Sequence, residues 1–176
     1  MVVSSPIKRV AEINLIKDWY RRKNQIRDLL LFELAINTGL DLAELLELKV
    51  KDVKDKLYLS NGKQKSIPLN DEIRELIAYA IEDKSLSELL FANNSGKKMH
   101  RTSVFYAFKD VCSELGLSEK YSVSSWRKTF GYHYYEKYKD LSYLMWLFNQ
   151  HDANLALKFI DVEENMNLRF REGVCL

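Results

Sequence analysis

Apolar side chains recur at helical spacing along the first third of the chain. Residues 7–23 carry them three or four positions apart, which predicts a helix with one buried face. A second and more apolar helix is predicted over residues 25–37. Gly39 is expected to end it, because glycine accepts the positive φ that commonly closes a helix. The buried face of the first helix is formed by Ile13, Ile16, Trp19 and Tyr20.

A third helix is predicted over residues 41–49, where four leucines share one face. Asp41 stands at its start and Glu44 follows three positions later, which is the spacing of a capping box. An aspartate in this position contributes about 1 kcal/mol to helix stability. We therefore expect Asp41 to act as the N-cap.

The periodicity then changes to that of strands. The stretch "KLYLSNGKQKSIPL" has two short β-type runs around Asn61-Gly62, a dipeptide typical of hairpin turns because both residues tolerate positive φ. A helix, "DEIRELIAYAIED", follows with Asn70 or Asp71 as its cap. The segment "SELLFA" is a candidate third strand.

The rest of the chain has the pattern of helices. The stretch "RTSVFYAFKDVCSELG" predicts one that begins near residues 102–103 and ends at Gly116. Residues 124–169 are mostly helical and rich in aromatic side chains, with breaks near Asp140 and around residues 149–152.

These elements indicate a mainly α protein with a small antiparallel β-sheet. No internal repeat or shift in composition marks a boundary, so we expect a single domain over residues 1–176. A short N-terminal arm over residues 1–8 and a C-terminal tail over about 162–176 are expected to flank it.

Composition limits the classes of function. Apolar residues make up 47% of the chain and charged residues 30%, which is an ordinary globular balance. No apolar run approaches the roughly 20 residues needed to span a bilayer, and the first residues lack the apolar core of a signal peptide. Cys112 and Cys175 are too few and too far apart for a disulfide scaffold or a zinc site. We expect a cytoplasmic protein with no metal, no cofactor and no membrane contact.

The net charge of +2 is a weak signal, but basic residues cluster locally in "YRRKNQIR", "NGKQK", "GKKMHR" and "WRK". Each cluster fits either a solvated surface or a contact with nucleic acid.

Four stretches resemble, in this order, the catalytic domain of the tyrosine recombinases, or phage integrases. They are "LLLFELAINTGLDLAELLELKVKDV", "NGKQKSIPLN", "SVSSWRKTFGYHYYEKYKDLSYLMWLFNQ" and "LALKFIDV". The likeness extends over about residues 8–165 and is greatest with short members that lack the separate N-terminal DNA-clamping domain. The resemblance implies the catalytic-domain fold of this family.

Members of this family cleave DNA with a tyrosine that attacks a phosphate and stays linked to the 3′ end. Two arginines stabilise charge on the phosphate oxygens, a lysine protonates the leaving 5′ oxygen, and histidines assist proton transfer. Covalent catalysis of this kind requires the oxygen atom of the nucleophile.

Five of the six positions that the resemblance assigns to this chemistry hold another residue type. Lys63 could replace the missing lysine only if the hairpin register shifted, and His151 directly follows the last of the altered histidine positions. The six positions are Asp41 for the first arginine, Ser60 for the lysine, Ser124 for a histidine, Arg127 for the second arginine, Gln150 for the histidine of a Gly-His pair and Phe159 for the tyrosine.

A benzyl ring has no oxygen to attack phosphorus, so Phe159 predicts a chain that does not cleave DNA and is not an enzyme. Asp41 repels a phosphate that an arginine would bind through charge-assisted hydrogen bonds. Besides capping, Asp41 has a second interpretation as an ion-pair partner of Arg127, since the two arginines of the family face one phosphate. Both interpretations stay open.

DNA binding needs only basic side chains at suitable places, so it can outlast the loss of cleavage. The stretch "SGKKMHRTSVFYAF" resembles the loop and helix with which the family enters the major groove. Residues in the first turn of such a helix reach phosphates and base edges, and we expect double-stranded DNA as the partner. The candidate DNA-binding residues are Lys63, Lys65, Lys97, Lys98, His100, Arg101, Ser103, Arg127 and Lys128, with Tyr106 after them.

The leading hypothesis is a catalytically inactive, DNA-binding regulator of transcription or recombination from a bacterium, phage or mobile element, associated with the nucleoid. A homodimer or higher oligomer on DNA is implied, with Met166, Leu168 and Phe170 as candidate contacts. One alternative is a decoy or accessory subunit that binds an active recombinase. Another is an active recombinase with a displaced nucleophile, for which the candidates are Tyr132, Tyr134, Tyr135, Tyr138 and Tyr143.

Overall fold

The computed structural model describes residues 4–60 and 66–162. Within these ranges the chain forms nine helices and one antiparallel pair of strands, which confirms the prediction of a mainly α fold with a small sheet. In chain order the elements are α1 Val10–Arg22, α2 Ile26–Thr38, α3 Leu42–Leu46, α4 Val50–Val53, β1 Tyr58–Ser60, β2 Ser66–Pro68, α5 Asp71–Ala80, α6 Arg101–Glu114, α7 Val123–Tyr138, α8 Leu141–Phe148 and α9 Ala153–Phe159.

Helix α2 lies at the centre of the fold and contacts α1, α3, α5 and α7. It is buried on most sides, as its apolar sequence predicted. The ring of Phe32 on α2 packs against Phe108 of α6 and Trp126 of α7, with centroids 6.0 and 5.7 Å away. Phe108 and Trp126 are themselves 5.0 Å apart. This aromatic cluster joins three helices and positions the starts of α6 and α7.

Helix α2 ends where the sequence predicted, because Gly39 adopts the left-handed conformation with a φ of 67°. A methyl group at Gly39 would lie 2.6 Å from Cδ1 of Phe130 on α7, so the position also needs the absence of a side chain. This close approach brings the start of α3 next to α7.

The third predicted helix is shorter than expected, and the predicted third strand is wrong. Helix α3 ends at Leu46, and Lys49 is extended before the separate turn of α4. The backbone there pairs with "SELLFA" only locally: Lys49 and Leu89 form an isolated bridge, and the Leu90 N–H donates to the Leu48 carbonyl at 2.8 Å. A second isolated bridge, between Ala92 and Lys98, involves a different segment, so neither bridge extends into a strand and the sheet among the described residues has two strands.

The predicted hairpin is confirmed. Strands β1 and β2 pair antiparallel, with Leu59 opposite Ile67, and both of these side chains are buried. Residues 61–65 connect them and lie outside the described residues, as does the tail from residue 163 onward. Predictions for Asn61-Gly62, Lys63, Lys65, Met166, Leu168 and Phe170 therefore lie outside the described residues as well.

Helix α6 begins slightly earlier than predicted, because His100 is its N-cap and accepts a hydrogen bond at ring Nδ1 from the Thr102 N–H at 3.3 Å. The predicted breaks in the C-terminal half are confirmed. Helices α7 and α8 are each followed by a residue with positive φ, Lys139 and Asn149, and Asp140 caps α8. These breaks turn α8 and α9 back onto α7.

The expected N-terminal arm is attached to the fold over its described part, residues 4–8. Ile7 is fully buried, and its N–H donates to Oγ1 of Thr129 on α7 at 2.9 Å. The Lys8 ammonium lies 2.9 Å from a carboxylate oxygen of Asp161, just after α9. The arm thus connects the start of the described chain to its end.

None of the helices in residues 4–60 and 66–162 has the length and apolar character needed to cross a bilayer. The same residues hold no group of three His, Cys, Asp or Glu side chains placed to bind a metal ion. Cys112 is a buried thiol, and burial raises its pKa to about 11. Cys175 lies outside the described residues.

Candidate nucleic-acid interface and adjoining cavity

A cavity of about 470 Å³ lies where the start of α3 meets the first turns of α6 and α7 and the end of α9. It brings together four of the six positions that the resemblance assigned to catalysis. Ser60 and Gln150 are not among the described residues that line it. The four that line it are Asp41, Ser124, Arg127 and Phe159.

Asp41 starts α3 as an N-cap, as predicted. Its Oδ1 accepts a hydrogen bond from the Ala43 N–H at 2.8 Å, and its own N–H donates to Oε2 of Glu44 at 2.9 Å. Together these bonds form a capping box, so the first interpretation of Asp41 is confirmed.

The same carboxylate lies between two guanidinium groups. Oδ2 of Asp41 is 3.8 Å from Nη1 of Arg127, which confirms the second interpretation alongside the first. Oδ1 is 4.0 Å from Nη2 of Arg101, a contact that the sequence did not indicate. The Asp41 side chain is 40% exposed and that of Arg101 64%, so water screens these pairs and they add little stability. Their main effect is to neutralise positive charge inside the cavity.

Arg127 reaches the cavity from the beginning of α7. Its guanidinium carbon lies 4.8 Å from the ring centroid of Phe148, and Nη2 donates to the Leu147 carbonyl at 3.4 Å. Burial lowers the pKa of Arg127, whereas the charges of Asp41 and Glu44 raise it. Arginine stays protonated despite such shifts, so the cavity keeps a fixed and partly buried cation.

Phe159 is the last residue of α9, and its half-buried ring lines the cavity. The ring packs edge-on against Phe148 with centroids 5.2 Å apart, and the Lys128 ammonium lies 5.4 Å from its centroid. Helix α9 approaches α7 closely because Gly131 has no side chain, and a methyl group there would lie 2.5 Å from Cγ2 of Ile160. Phe159 therefore presents an apolar ring to the cavity and no hydroxyl group.

Three of the sequence-predicted site residues lie outside the cavity. The ammonium of Lys128 donates to the Ser4 carbonyl at 2.6 Å, and burial lowers its pKa. The buried Oε1 of Gln150 has no hydrogen-bond partner among the described residues. Ser60 is exposed at the end of β1. None of the three is a cavity-lining residue in the part of the chain described here.

The predicted DNA-binding residues near the start of α6 have different environments. Lys98 pairs with the carboxylate of Glu47, and His100 is engaged as the helix cap. The first turn of α6 contains no acidic residue, so no side chain of the helix itself offsets the partial positive charge of its N-terminus. All members of the set are exposed; they are Lys97, Lys98, His100, Arg101 and Ser103, together with Tyr106.

Two aromatic residues that line the cavity, Phe105 and Trp126, were not among the predicted site residues. Phe105 follows Arg101 by four positions, so helical spacing places the two on the same side of α6, and that signal was present in the sequence. Trp126 is a buried core residue that reaches the cavity only because it adjoins Arg127 on α7. No local pattern distinguishes it from other core aromatics.

Comparison with known proteins identifies a family. The chain matches the phage integrase family over residues 9–165. It is 28% identical over 171 residues to the probable integrase/recombinase YoeC of Bacillus subtilis, covering 94% of this chain and 93% of YoeC. It is 23% identical over 154 residues to the tyrosine recombinase XerD of Staphylococcus saprophyticus, covering 81% of this chain and 52% of XerD. The chain therefore spans nearly all of YoeC but about half of XerD.

Solved structures share the fold. The XerA recombinase superposes with a TM-score of 0.76 at 12% identity, over 99% of this chain and 66% of XerA. The Tn1549 transposon integrase, solved in complex with transposon right-end DNA, gives a TM-score of 0.76 at 15% identity, over 96% of this chain and 65% of that one. These identities support the fold alone, while the family match covers most of the sequence. The chain belongs to the phage integrase family, the tyrosine recombinases.

Proposed function

We propose that this protein is a DNA-binding member of the family that does not cleave DNA and acts as a regulator of transcription or recombination. The observation that carries this proposal is the set of side chains that line the cavity. The Asp41 carboxylate lies between the guanidinium groups of Arg101 and Arg127, and the ring of Phe159 lines the same space.

Loss of cleavage follows from two independent features. Phe159 offers no oxygen to attack a phosphate, and this removes the covalent route rather than slowing it. Asp41 places a negative charge where a phosphate needs positive charge, and its capping bonds hold it there. All ten tyrosines of the chain lie within the described residues, and the residues lining the cavity include none of them. This favours loss of activity over a displaced nucleophile.

Retention of DNA binding is supported by the start of α6. Arg101 and Lys97 are exposed there, and the N-terminus of α6 attracts anions because its first turn has no acidic residue. The Tn1549 integrase and the lambda integrase, which share this fold, are both solved on DNA. Phosphate contacts from such positions supply affinity without any catalytic group.

Two measurements on the full chain test this function. In gel shifts with genomic fragments, we expect binding that weakens steeply between 50 and 200 mM salt, on the order of 10³-fold if about six phosphates are contacted. In nicked suicide duplexes made from the bound fragments, we expect no adduct that survives denaturation, whereas an active tyrosine recombinase on its own site supplies the positive control. Absence of binding at low salt, or a covalent adduct with the wild-type chain, would contradict the proposal.

A second candidate function is an accessory subunit that docks on an active recombinase. It is favoured by a row of aromatic side chains on α7 and α8, in which Tyr138 is 58% exposed and Trp146 48% exposed. Tyr134 and Tyr143 connect them, with ring centroids 4.7 to 5.5 Å apart along the row. Exposed Tyr and Trp are enriched at protein interfaces.

Binding to DNA that appears only when an active recombinase is present would favour this second function. In that case, replacing Tyr138 and Trp146 with alanine should abolish the joint complex. The same double variant should leave independent DNA binding by this chain unchanged if the first function is correct.

A further inference from the structure

Helix α6 exposes two adjacent aromatic side chains. Phe105 is 39% exposed and Tyr106 62% exposed, and their rings meet edge to face with centroids 5.4 Å apart. Val104 and Phe108 on the same helix are buried and hold α6 against the core. The fold therefore does not need the apolar surface of the exposed pair, which suggests that another molecule contacts it.

The position of this aromatic pair favours a polyanion as its partner. Arg101 precedes Phe105 by four positions and lines the same cavity, while the exposed Ser103 precedes Tyr106 by three. The first turn of α6 carries Arg101 and no acidic residue of its own. Asp41 from the start of α3 offsets Arg101 only in part, because the two groups are 4.0 Å apart and Arg101 is 64% exposed, so the start of the helix still attracts negative charge. Duplex DNA offers both phosphate charge and apolar groups on its bases, which matches this combination of a cation and two aromatic rings.

The thymine 5-methyl is the apolar group that base pairs present in the major groove, and apolar side chains contact it. The major groove is about 12 Å wide and accepts an α-helix. We propose that Phe105 and Tyr106 contact thymine methyl groups in the major groove of duplex DNA and make this protein select thymine-containing sites. The inference rests on the proposed DNA-binding function and adds to it a means of sequence selection.

Two duplexes that differ only in these methyl groups test the proposal. One is an alternating dA·dT duplex, and the other has the same sequence with every thymine replaced by deoxyuridine, so phosphates and hydrogen-bonding groups are identical. With the full wild-type chain, we expect the thymine duplex to bind more tightly by about fourfold for each methyl contacted, which is the factor expected for burying one methyl-sized group.

Variants assign the preference to the aromatic pair. The Phe105→Ala/Tyr106→Ala double variant should bind both duplexes with the affinity that the wild type shows for the uridine duplex. Tyr106→Phe keeps the ring and should keep the preference for thymine. Tyr79→Ala is the matched control, because Tyr79 on α5 is 61% exposed and lies outside the proposed interface. Thermal unfolding of each variant verifies that it is folded.

The outcomes separate this proposal from the one on which it rests. Equal affinity of the wild type for the two duplexes overturns thymine recognition and leaves DNA binding intact. A double variant that loses the same factor on both duplexes also overturns it, because the rings would then contact a group other than the methyl. A wild-type chain that binds neither duplex at low salt overturns the proposed function and this inference with it.

Discussion

Asp41 has two roles that a single substitution can separate. Its Oδ1 caps α3, and both of its carboxylate oxygens face guanidinium groups, those of Arg101 and Arg127. Capping depends on a hydrogen-bond acceptor, which asparagine also provides, whereas neutralisation of the cavity depends on charge. Under the proposed function Asp41 opposes phosphate in the cavity, and a neutral isostere would remove this opposition while it keeps the cap.

We expect Asp41→Asn to bind DNA about fivefold more tightly at fixed salt, because removing one exposed charge opposed to phosphate is worth about 1 kcal/mol. Its free energy of unfolding should stay close to that of the wild type, since the cap is retained. Asp41→Ala should gain the same affinity but lose about 1 kcal/mol of stability with the cap. Fluorescence anisotropy with a labelled duplex and urea unfolding measure the two effects. Weaker DNA binding by Asp41→Asn would show that the carboxylate does not oppose phosphate.

At the scale of elements, α1 and α2 are joined by a buried ion pair. The Lys17 ammonium lies 2.8 Å from Oε1 of Glu33, whose side chain is only 2% exposed, and Asn37 donates to Oε2 at 3.1 Å. Burial raises the pKa of Glu33, while the hydrogen bond and charge of Lys17 lower it. The carboxylate is thus tolerated in the core chiefly because Lys17 accompanies it.

Lys17→Met should lower the free energy of unfolding at pH 7 by about 3–5 kcal/mol, because a buried carboxylate loses its partner. A raised folded-state pKa means that protonation of Glu33 favours the folded state, so this stabilisation is present at low pH and is lost as the pH rises through the folded pKa. The deficit of Lys17→Met relative to wild type should therefore shrink between pH 7 and pH 5. In a Glu33→Gln background, which lacks the carboxylate, the deficit of Lys17→Met/Glu33→Gln relative to Glu33→Gln should not vary with pH. Urea unfolding at pH 7 and pH 5 measures these deficits. Equal deficits for Lys17→Met at the two pH values would contradict the role of Glu33.

The elements that the sequence predicted correctly carry their signal locally. Gly39 and Asp41 mark a helix end and a helix start by residue type alone, and both behave as expected. The third strand was predicted wrongly because "SELLFA" has strand-like composition, while its two isolated bridges, to Lys49 and to Lys98, are each too short to form a ladder. His100 was missed as the cap of α6 because histidine is not among the preferred N-cap residues.

The candidate site was likewise predictable only in part from the sequence. Family spacing located Asp41, Arg127 and Phe159, and the fold brings these three together in one cavity. Lys128 directly follows Arg127 in sequence, yet its ammonium donates to the Ser4 carbonyl, 124 positions away. Contacts between residues so far apart in sequence depend on how the whole chain folds, and no residue pattern near Lys128 predicts them.

For the molecule as a whole, the arm of residues 4–8 joins distant parts of the chain. The Ile7 N–H donates to Oγ1 of Thr129, and the Ile7 carbonyl lies 2.9 Å from Nε2 of His133 one helical turn further along α7. The Ser5 N–H donates to the Lys120 carbonyl at 3.3 Å. These bonds satisfy backbone groups of an arm that has no secondary structure, so α7 and the loop before it supply the partners that a helix or sheet would otherwise provide.

Thr129 is the point at which this attachment can be tested. Its Oγ1 accepts from the buried Ile7 N–H at 2.9 Å and donates to the Ser125 carbonyl at 2.7 Å, and the residue is 1% exposed. Thr129→Val keeps the shape of the side chain but leaves the Ile7 N–H buried without an acceptor, which costs about 1–3 kcal/mol of unfolding free energy. Thr129→Ser keeps the hydroxyl and loses only a methyl group, for about 1 kcal/mol.

Urea unfolding should rank Thr129→Val as the less stable variant, and hydrogen exchange should show that the Ile7 amide loses protection in Thr129→Val but not in Thr129→Ser. If burial of the Ile7 side chain alone held the arm against α7, the Ile7 amide would exchange at the same rate in both variants. Retained protection in Thr129→Val would then assign the attachment to apolar packing. Selective loss of protection would show that one hydroxyl on α7 holds the start of the described chain in place.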